Sequence, residues 1–217
     1  MAYVSLTELI QAARTGSALV SFPTDTVPAL ASHPDRAHLI FEAKQRSTQK
    51  PLILMGGTDN DLWPYVRGSA EEFERWKSVT QRYWPGALTL VLPASDRIPT
   101  AMNPQNPTTL GIRVPDCAIA RHIMSQTGPL ATTSVNRSGE PALIHPDDLN
   151  REFPEVLLLS PDALDELRGA IATDSSPSTP QSATSDTESS NAIPSTVVQW
   201  IDRQWTVVRH GGIRFKD

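Results

Sequence analysis

The chain has little to cross-link with and nothing long enough to span with. Its 217 residues include a single cysteine, Cys117, which excludes an internal disulfide and a cysteine-cluster metal site and fits a reducing compartment. No uninterrupted apolar run reaches the roughly 18 residues of a membrane-crossing helix, and no basic stretch followed by an apolar one opens the sequence. A soluble, cytoplasmic protein is therefore expected. Cations are in deficit, with 19 Lys and Arg against 24 Asp and Glu and a net charge of −5. That balance argues against a general nucleic-acid coat but is compatible with a local basic cleft, because a polyanion responds to the field at its site. Neither G-x-x-x-x-G-K-[ST] nor G-x-G-x-x-G occurs, so a P-loop or Rossmann cradle is excluded. No Ser-His-Asp or Cys-His arrangement is recognisable. The histidines His33, His38, His122, His145 and His210 are scattered and read as surface or packing residues.

What is present is an alternation of strand-like and helix-like segments. Hydrophobic residues make up 39% of the chain, enough for one substantial core. Ser5 with Glu8 forms a capping box that opens a helix over 6–14, with Gly16 as its stop. Residues 18–22 read as a buried strand, and Asp35 is placed to cap a helix over 36–45. Residues 51–55 read as a strand. A second capping box, Ser69 with Glu72, precedes a helix whose Phe73, Trp76, Val79 and Tyr83 form a core stripe. Strands are expected at 87–92, 109–114, 130–133 and 156–159, and a helix at 116–126. Residues 195–201 and 205–209 flank Asp202-Arg203-Gln204 and suit a hairpin. Strands separated by helices imply an α/β layer architecture, and the closing hairpin argues against a purely parallel sheet. From 173 to 191 the chain is Ser, Thr, Pro, Asp and Ala with almost nothing to bury, so a flexible insertion is expected there. Its role is open between a solvated loop and a lid or docking loop.

Two short pieces carry the chemistry. Lys44-Gln45-Arg46 closes a helical pattern with two cations one residue apart, and Ser134-Val135-Asn136 puts a hydroxyl and an amide after an apolar run. Lys and Arg with small polar groups at strand ends are the usual means of holding triphosphates. Around them stand Pro23-Thr24-Asp25-Thr26, Lys50-Pro51-Leu52, Trp84-Pro85-Gly86, Leu110-Gly111-Ile112-Arg113-Val114-Pro115, Ser138-Gly139-Glu140-Pro141, Ser195-Thr196-Val197-Val198 and Arg209-His210-Gly211. In that order these motifs resemble the YrdC-like family over about residues 20–212, nearly the whole chain.

The resemblance implies a single YrdC-like domain over 1–217, with a twisted, mixed and mostly parallel open sheet flanked by helices. It implies threonylcarbamoyl-AMP synthesis from threonine, bicarbonate and ATP, for threonylcarbamoyl-adenosine modification of tRNA. Mg2+ would accompany the triphosphate, no protein-bound metal is implied, and a separate transferase complex would receive the product. By the same resemblance Lys44 and Arg46 are catalytic. Arg46, Lys50, Thr109, Asn136 and Arg209 are ATP contacts, and Thr26, Arg113, Ser134 and Ser195 are threonine contacts.

Local readings of the same residues stay open beside these roles. Lys44 and Arg46 could be solvated helix-end charges favoured by the helix dipole, Thr26 a turn residue, Arg113 an internal ion-pair partner, and Ser134 or Asn136 a cap or turn former. The chain also departs from the family pattern. Pro28-Ala29-Leu30-Ala31 stands where the family has Tyr-Gly-Leu-Gly, Met55 where a His is common, Ala142-Leu143-Ile144 where it has Ser-Pro-Thr, and Gln199 where an Asp is usual. The alternative function is therefore a paralogue that binds nucleotide or double-stranded RNA without synthase activity.

Overall fold

The computed structural model describes residues 3–174 and 193–217. In chain order the elements are β1 (Tyr3–Val4), α1 (Leu6–Thr15), β2 (Val20–Phe22), β3 (Ala29–Ser32), a 3-10 turn (Pro34–Arg36), α2 (His38–Ala43), β4 (Ile53–Met55), α3 (Ala70–Tyr83), β5 (Leu88–Pro93), β6 (Thr109–Arg113), α4 (Ala118–Thr127), β7 (Leu130–Ser134), α5 (Pro146–Glu152), β8 (Leu157–Leu159), α6 (Pro161–Asp174), β9 (Thr196–Ile201) and β10 (Gln204–Arg209). Further 3-10 turns lie at Trp63–Tyr65 and Thr100–Met102.

Both capping boxes form. The Ser5 hydroxyl accepts from the Glu8 amide while Glu8 reaches back to the Ser5 backbone, and Ser69 and Glu72 do the same at the start of α3. Two of the orphan amides at each helix start are thereby satisfied. Gly16 ends α1 in the left-handed region at φ 67°, which a residue without Cβ adopts freely. The expected Asp35 cap does not form. Pro34 instead starts a 3-10 turn in which the His33 side chain accepts from the Asp35 amide, and α2 begins only at His38, behind Ala37, which makes no side-chain cap bond.

The strands form one open mixed sheet in the order β1-β8-β2-β3-β7-β4-β6-β5-β9-β10. The pairs β1–β8, β8–β2, β4–β6 and β5–β9 are parallel; β2–β3, β3–β7, β7–β4, β6–β5 and β9–β10 are antiparallel. The mixed sheet flanked by helices matches the expected class, but its parallel share is smaller than expected. Hairpins close both β2–β3 and β9–β10, and β7 inserts antiparallel between β3 and β4. The second hairpin turns on Asp202 and Arg203, both at positive φ (49° and 62°), the conformation that matches the twist of the strands it joins.

Alternation of side chains sorts the core into two layers. One face presents Leu54, Leu90, Ile112, Ala131 and Val198 to α2, α3 and α5, with Ile40, Trp76 and Leu149 from those helices in the same cluster. The opposite face presents Val20, Phe22, Ala31 and Leu130 to α1, α4 and α6, through Leu9, Ala13, Ile123 and Leu167. The helices of this second layer cover β8, β2, β3 and part of β7. Beyond them the same sheet face continues over β4, β6, β5 and β9, where Thr89, Thr109 and Gly111 stand beside Ile53, Val91 and Val197, with Thr132 of β7 on one side and Ser195, just before β9, on the other. That uncovered stretch is the floor of a cleft.

The segment expected to be an insertion at 173–191 divides. Thr173 and Asp174 are the last residues of α6, and the remainder lies outside the described residues. Among the described residues no helix is long and apolar enough to cross a membrane.

Candidate functional site

The cleft has a volume of about 250 Å³ and is rimmed by three arginines, Arg46, Arg113 and Arg209. Gly111 in its floor would place a Cβ at ordinary contact distance, 3.5 Å, from the Ile53 and Thr89 side chains.

Arg46 reaches the cleft because of how α2 ends. Lys44 is the C-cap, Gln45 sits at φ 47°, the Gln45 amide donates to the Glu42 carbonyl at 3.1 Å and the Arg46 amide to the Phe41 carbonyl at 2.9 Å. This paired bonding with a left-handed C′ residue is a Schellman motif. It reverses the chain at once, so that Lys44 and Arg46 part company. Lys44 points inward and is fully buried, its Nζ donating to the Ser134 carbonyl and, at 3.0 Å, to Asn136 Oδ1. Arg46 lies along the rim, Nε donating to the Lys50 carbonyl at 3.0 Å and Nη2 to the Pro51 carbonyl at 3.1 Å. Glycine is the residue that adopts a left-handed C′ without strain. Gln45→Gly is therefore expected to raise the melting temperature by about 1–3 °C, corresponding to roughly 0.5–1 kcal/mol for a chain of this size. A lower melting temperature would contradict the left-handed assignment.

Arg113 ends β6 almost fully buried, at 4% exposure. Its Nε donates to the Gly86 carbonyl at 3.0 Å, Nη1 to Thr26 Oγ1 at 3.0 Å and Nη2 to Asp25 Oδ1 at 2.6 Å. Thr24 fixes the polarity of this corner. Its hydroxyl donates to the Val27 carbonyl at 2.7 Å, so in the 3.2 Å contact between Thr24 and Thr26 it is Thr26 that donates. Thr26 thus has its hydrogen committed, accepts from Arg113, and keeps one lone pair for a ligand.

Across the floor, Ser195 Oγ lies 2.9 Å from Thr89 Oγ1 and 3.3 Å from Arg209 Nη2, while the Arg209 guanidinium also donates to the Ser195 carbonyl. Burial, and then the neighbouring cation, holds Arg46 and Arg209 below the ordinary arginine range; the cation is Arg209 for Arg46 and Arg113 for Arg209. Lys44 is pushed down to about 7, first by burial and then by Arg46 and Lys50. These cations are held at mutual cost, with Asp25 the one carboxylate paired to the arginine rim among the described residues. Such a site is built for polyanions.

Thr26, Arg46, Thr109, Arg113, Ser134, Ser195 and Arg209 all line the one cleft. Lys44 and Asn136 stand directly behind its wall. Asn136 Oδ1 accepts from both Lys44 and the Ser134 hydroxyl, and its amide nitrogen donates to the Arg137 and Glu140 carbonyls. Neither is a free solvated charge or group: burial has made Lys44 part of the interior, which excludes its reading as a helix-end surface cation. Lys50 is exposed at the edge and its side chain does not line the cleft. Thr24, Thr89 and Asn103 line the cleft without having been singled out in the sequence; Thr89 meets Ser195 from a distant segment, while Thr24 and Asn103 are held by local bonds to Val27 and Thr109.

The family model for Sua5, YciO and YrdC, described as telomere recombination, matches residues 12–175. The chain belongs to this family. A threonylcarbamoyl-AMP synthase of Chromohalobacter salexigens is 32% identical over 164 residues, covering 73% of this chain and 85% of that protein. One from Bacillus subtilis is 37% identical over 131 residues, covering 57% of this chain and 36% of that protein; the chain thus spans about a third of that longer relative. The crystal structure of Pyrococcus abyssi Sua5 complexed with L-threonine superposes with a TM-score of 0.74 at 26% identity, covering 95% of this chain and 54% of that one.

Proposed function

We propose that this protein is an ATP-dependent L-threonylcarbamoyladenylate synthase, a nucleotidyltransferase that supplies threonylcarbamoyl-AMP for modification of tRNA adenosine in the cytoplasm. The observation that carries the reading is the convergence of Arg46, Arg113 and Arg209 on one cleft in a chain of net negative charge. The family membership and the named relatives support the same reaction.

In this reaction the threonine amine and bicarbonate form a carbamate with loss of water, one carbamate oxygen bonds to the α-phosphorus of ATP, and the bond to pyrophosphate breaks with its electron pair leaving on the diphosphate. The catalytic demand is to hold two anions together, neutralise the leaving group and keep water from a labile mixed anhydride. Arg113, Thr26 and Ser195 form the corner that takes the amino acid. Thr26, presenting a lone pair rather than a hydrogen, receives a donor such as the amine or hydroxyl of threonine, while the free Arg113 donors take its carboxylate. Ser134 closes the corner from β7. Arg46 and Arg209 face the triphosphate, with Lys50 at its outer edge and Thr109 on the floor. Lys44 and Asn136 act from behind the wall by fixing the loop after β7. Mg2+ would arrive with ATP, where it would offset phosphate charge.

Incubation with ATP, Mg2+, threonine and bicarbonate is expected to release pyrophosphate, and omission of threonine to abolish the release. ATP binding without threonine-dependent pyrophosphate would instead favour the non-synthase, nucleotide- or RNA-binding paralogue.

A further inference from the structure

Asn103 follows the turn at 100–102, is 6% exposed and lines the cleft beside Thr109, the first residue of β6. Its amide is oriented without ambiguity. Oδ1 accepts from the Asn106 backbone N–H at 3.3 Å, which can only donate, and Nδ2 donates to the Thr109 backbone carbonyl at 3.1 Å, which can only accept. A flipped amide would set two acceptors and two donors against each other, so the orientation is fixed by chemistry rather than by choice. Nδ2 also lies 3.3 Å from Thr109 Oγ1. Facing an amide donor, that hydroxyl must accept, and its own hydrogen has to turn elsewhere. No acceptor for it is found among the described residues, and Thr109 opens on the cleft.

We infer that Asn103 is a positioning residue that sets the Thr109 hydroxyl as a hydrogen-bond donor, aimed at an acceptor oxygen or ring nitrogen of the nucleotide. This rests on the proposed nucleotide site and assigns it a residue and a polarity. The carbonyl and hydroxyl of Thr109 form the two ends of one hold: the carbonyl fixes where Asn103 sits, and the hydroxyl reports that fix to the ligand. A group offering only donors at that point would meet another donor and be rejected, so the hold also discriminates among ligands.

The test is ATP affinity, measured by calorimetry, in a double-mutant cycle. Thr109→Val keeps the shape and removes the hydroxyl, and is expected to weaken ATP binding about five- to tenfold, the loss for one neutral hydrogen bond. Thr109→Ser should restore most of it. Asn103→Ala is expected to weaken ATP roughly threefold or more in the wild-type background and to add little once Thr109 is Val, because its effect passes through that hydroxyl. If Asn103 only braces its loop, the two losses multiply, and that outcome overturns the inference, as does unchanged affinity in Thr109→Val. Absence of ATP binding by the wild-type protein overturns the synthase reading along with it. Repeating the Thr109→Val measurement with inorganic tripolyphosphate locates the acceptor: a loss there places it on a phosphate, and a loss confined to ATP places it on the nucleoside.

Discussion

Arg113→Lys is expected to raise the threonine requirement for pyrophosphate release by about 10- to 100-fold while leaving the ATP requirement within about threefold, and Arg113→Ala to cost in addition several kcal/mol of stability. The reason lies in how the five N–H groups of Arg113 are used. Three bind Gly86, Thr26 and Asp25 within the protein. One on each terminal nitrogen is left, the pair that a planar guanidinium offers to a carboxylate and a lysine cannot reproduce. Arg113 is thus at once an internal ion-pair partner, of Asp25, and a cleft residue. The two roles separate by experiment. Lysine keeps the charge beside Asp25 and so keeps most of the stability, but loses the fork. Alanine leaves the Asp25 carboxylate, 14% exposed, without its counter-charge, a change that typically costs about 3–5 kcal/mol when the pair is buried. Equal loss for threonine and ATP in Arg113→Lys, with a lowered melting temperature, would leave only the ion-pair role.

How much of this was legible in the sequence depends on how far each cause reaches along the chain. The capping boxes at Ser5 and Ser69 and the β9–β10 hairpin are local arrangements, decided within a few residues, and they read correctly. β3 did not. Pro28-Ala29-Leu30-Ala31 stands out only as a departure from the family pattern, because nothing in these small or apolar residues beginning with a proline marks a strand. Its strandedness comes from β2 and β7, which bond it on either side. β1, with two residues, and α5 and α6 were missed for related reasons: β1 exists only through its pairing with β8, and α5 and α6 carry weak apolar stripes docked by tertiary contacts. At the site, resemblance brought together residues separated by more than 180 positions, from Thr26 to Arg209. It could not tell which of them face the cleft. Lys44 and Arg46 are indistinguishable as sequence, yet one is interior and the other rim, because Gln45 takes a left-handed conformation that no glycine advertises.

That interior placement makes Lys44 sensitive to pH. Its Nζ has two neutral acceptors, the Ser134 carbonyl and Asn136 Oδ1, and the charges that act on it, Arg46 and Lys50, are of its own sign. The folded-state value near 7 lies well below the 10.5 of an unperturbed lysine. Between these two values the unfolded chain holds the proton and the native protein does not, so stability rises with pH across that window. Below about pH 7 both states are protonated and the cost of burying the charge is borne in full. Lys44→Met cannot titrate. The wild-type protein is therefore expected to gain stability over Lys44→Met by a few kcal/mol between pH 7 and 10, measured by denaturant unfolding at each pH. A triphosphate placed beside Arg46 reverses the local field and favours the ammonium. ATP binding at pH 8 should then take up close to one proton in the wild-type protein and almost none in Lys44→Met, read from calorimetry in buffers of different ionisation heat. Parallel stability curves for the two proteins, together with proton uptake unchanged by the substitution, would show that Lys44 stays charged throughout and that its neutral acceptors suffice to hold the ammonium in the interior.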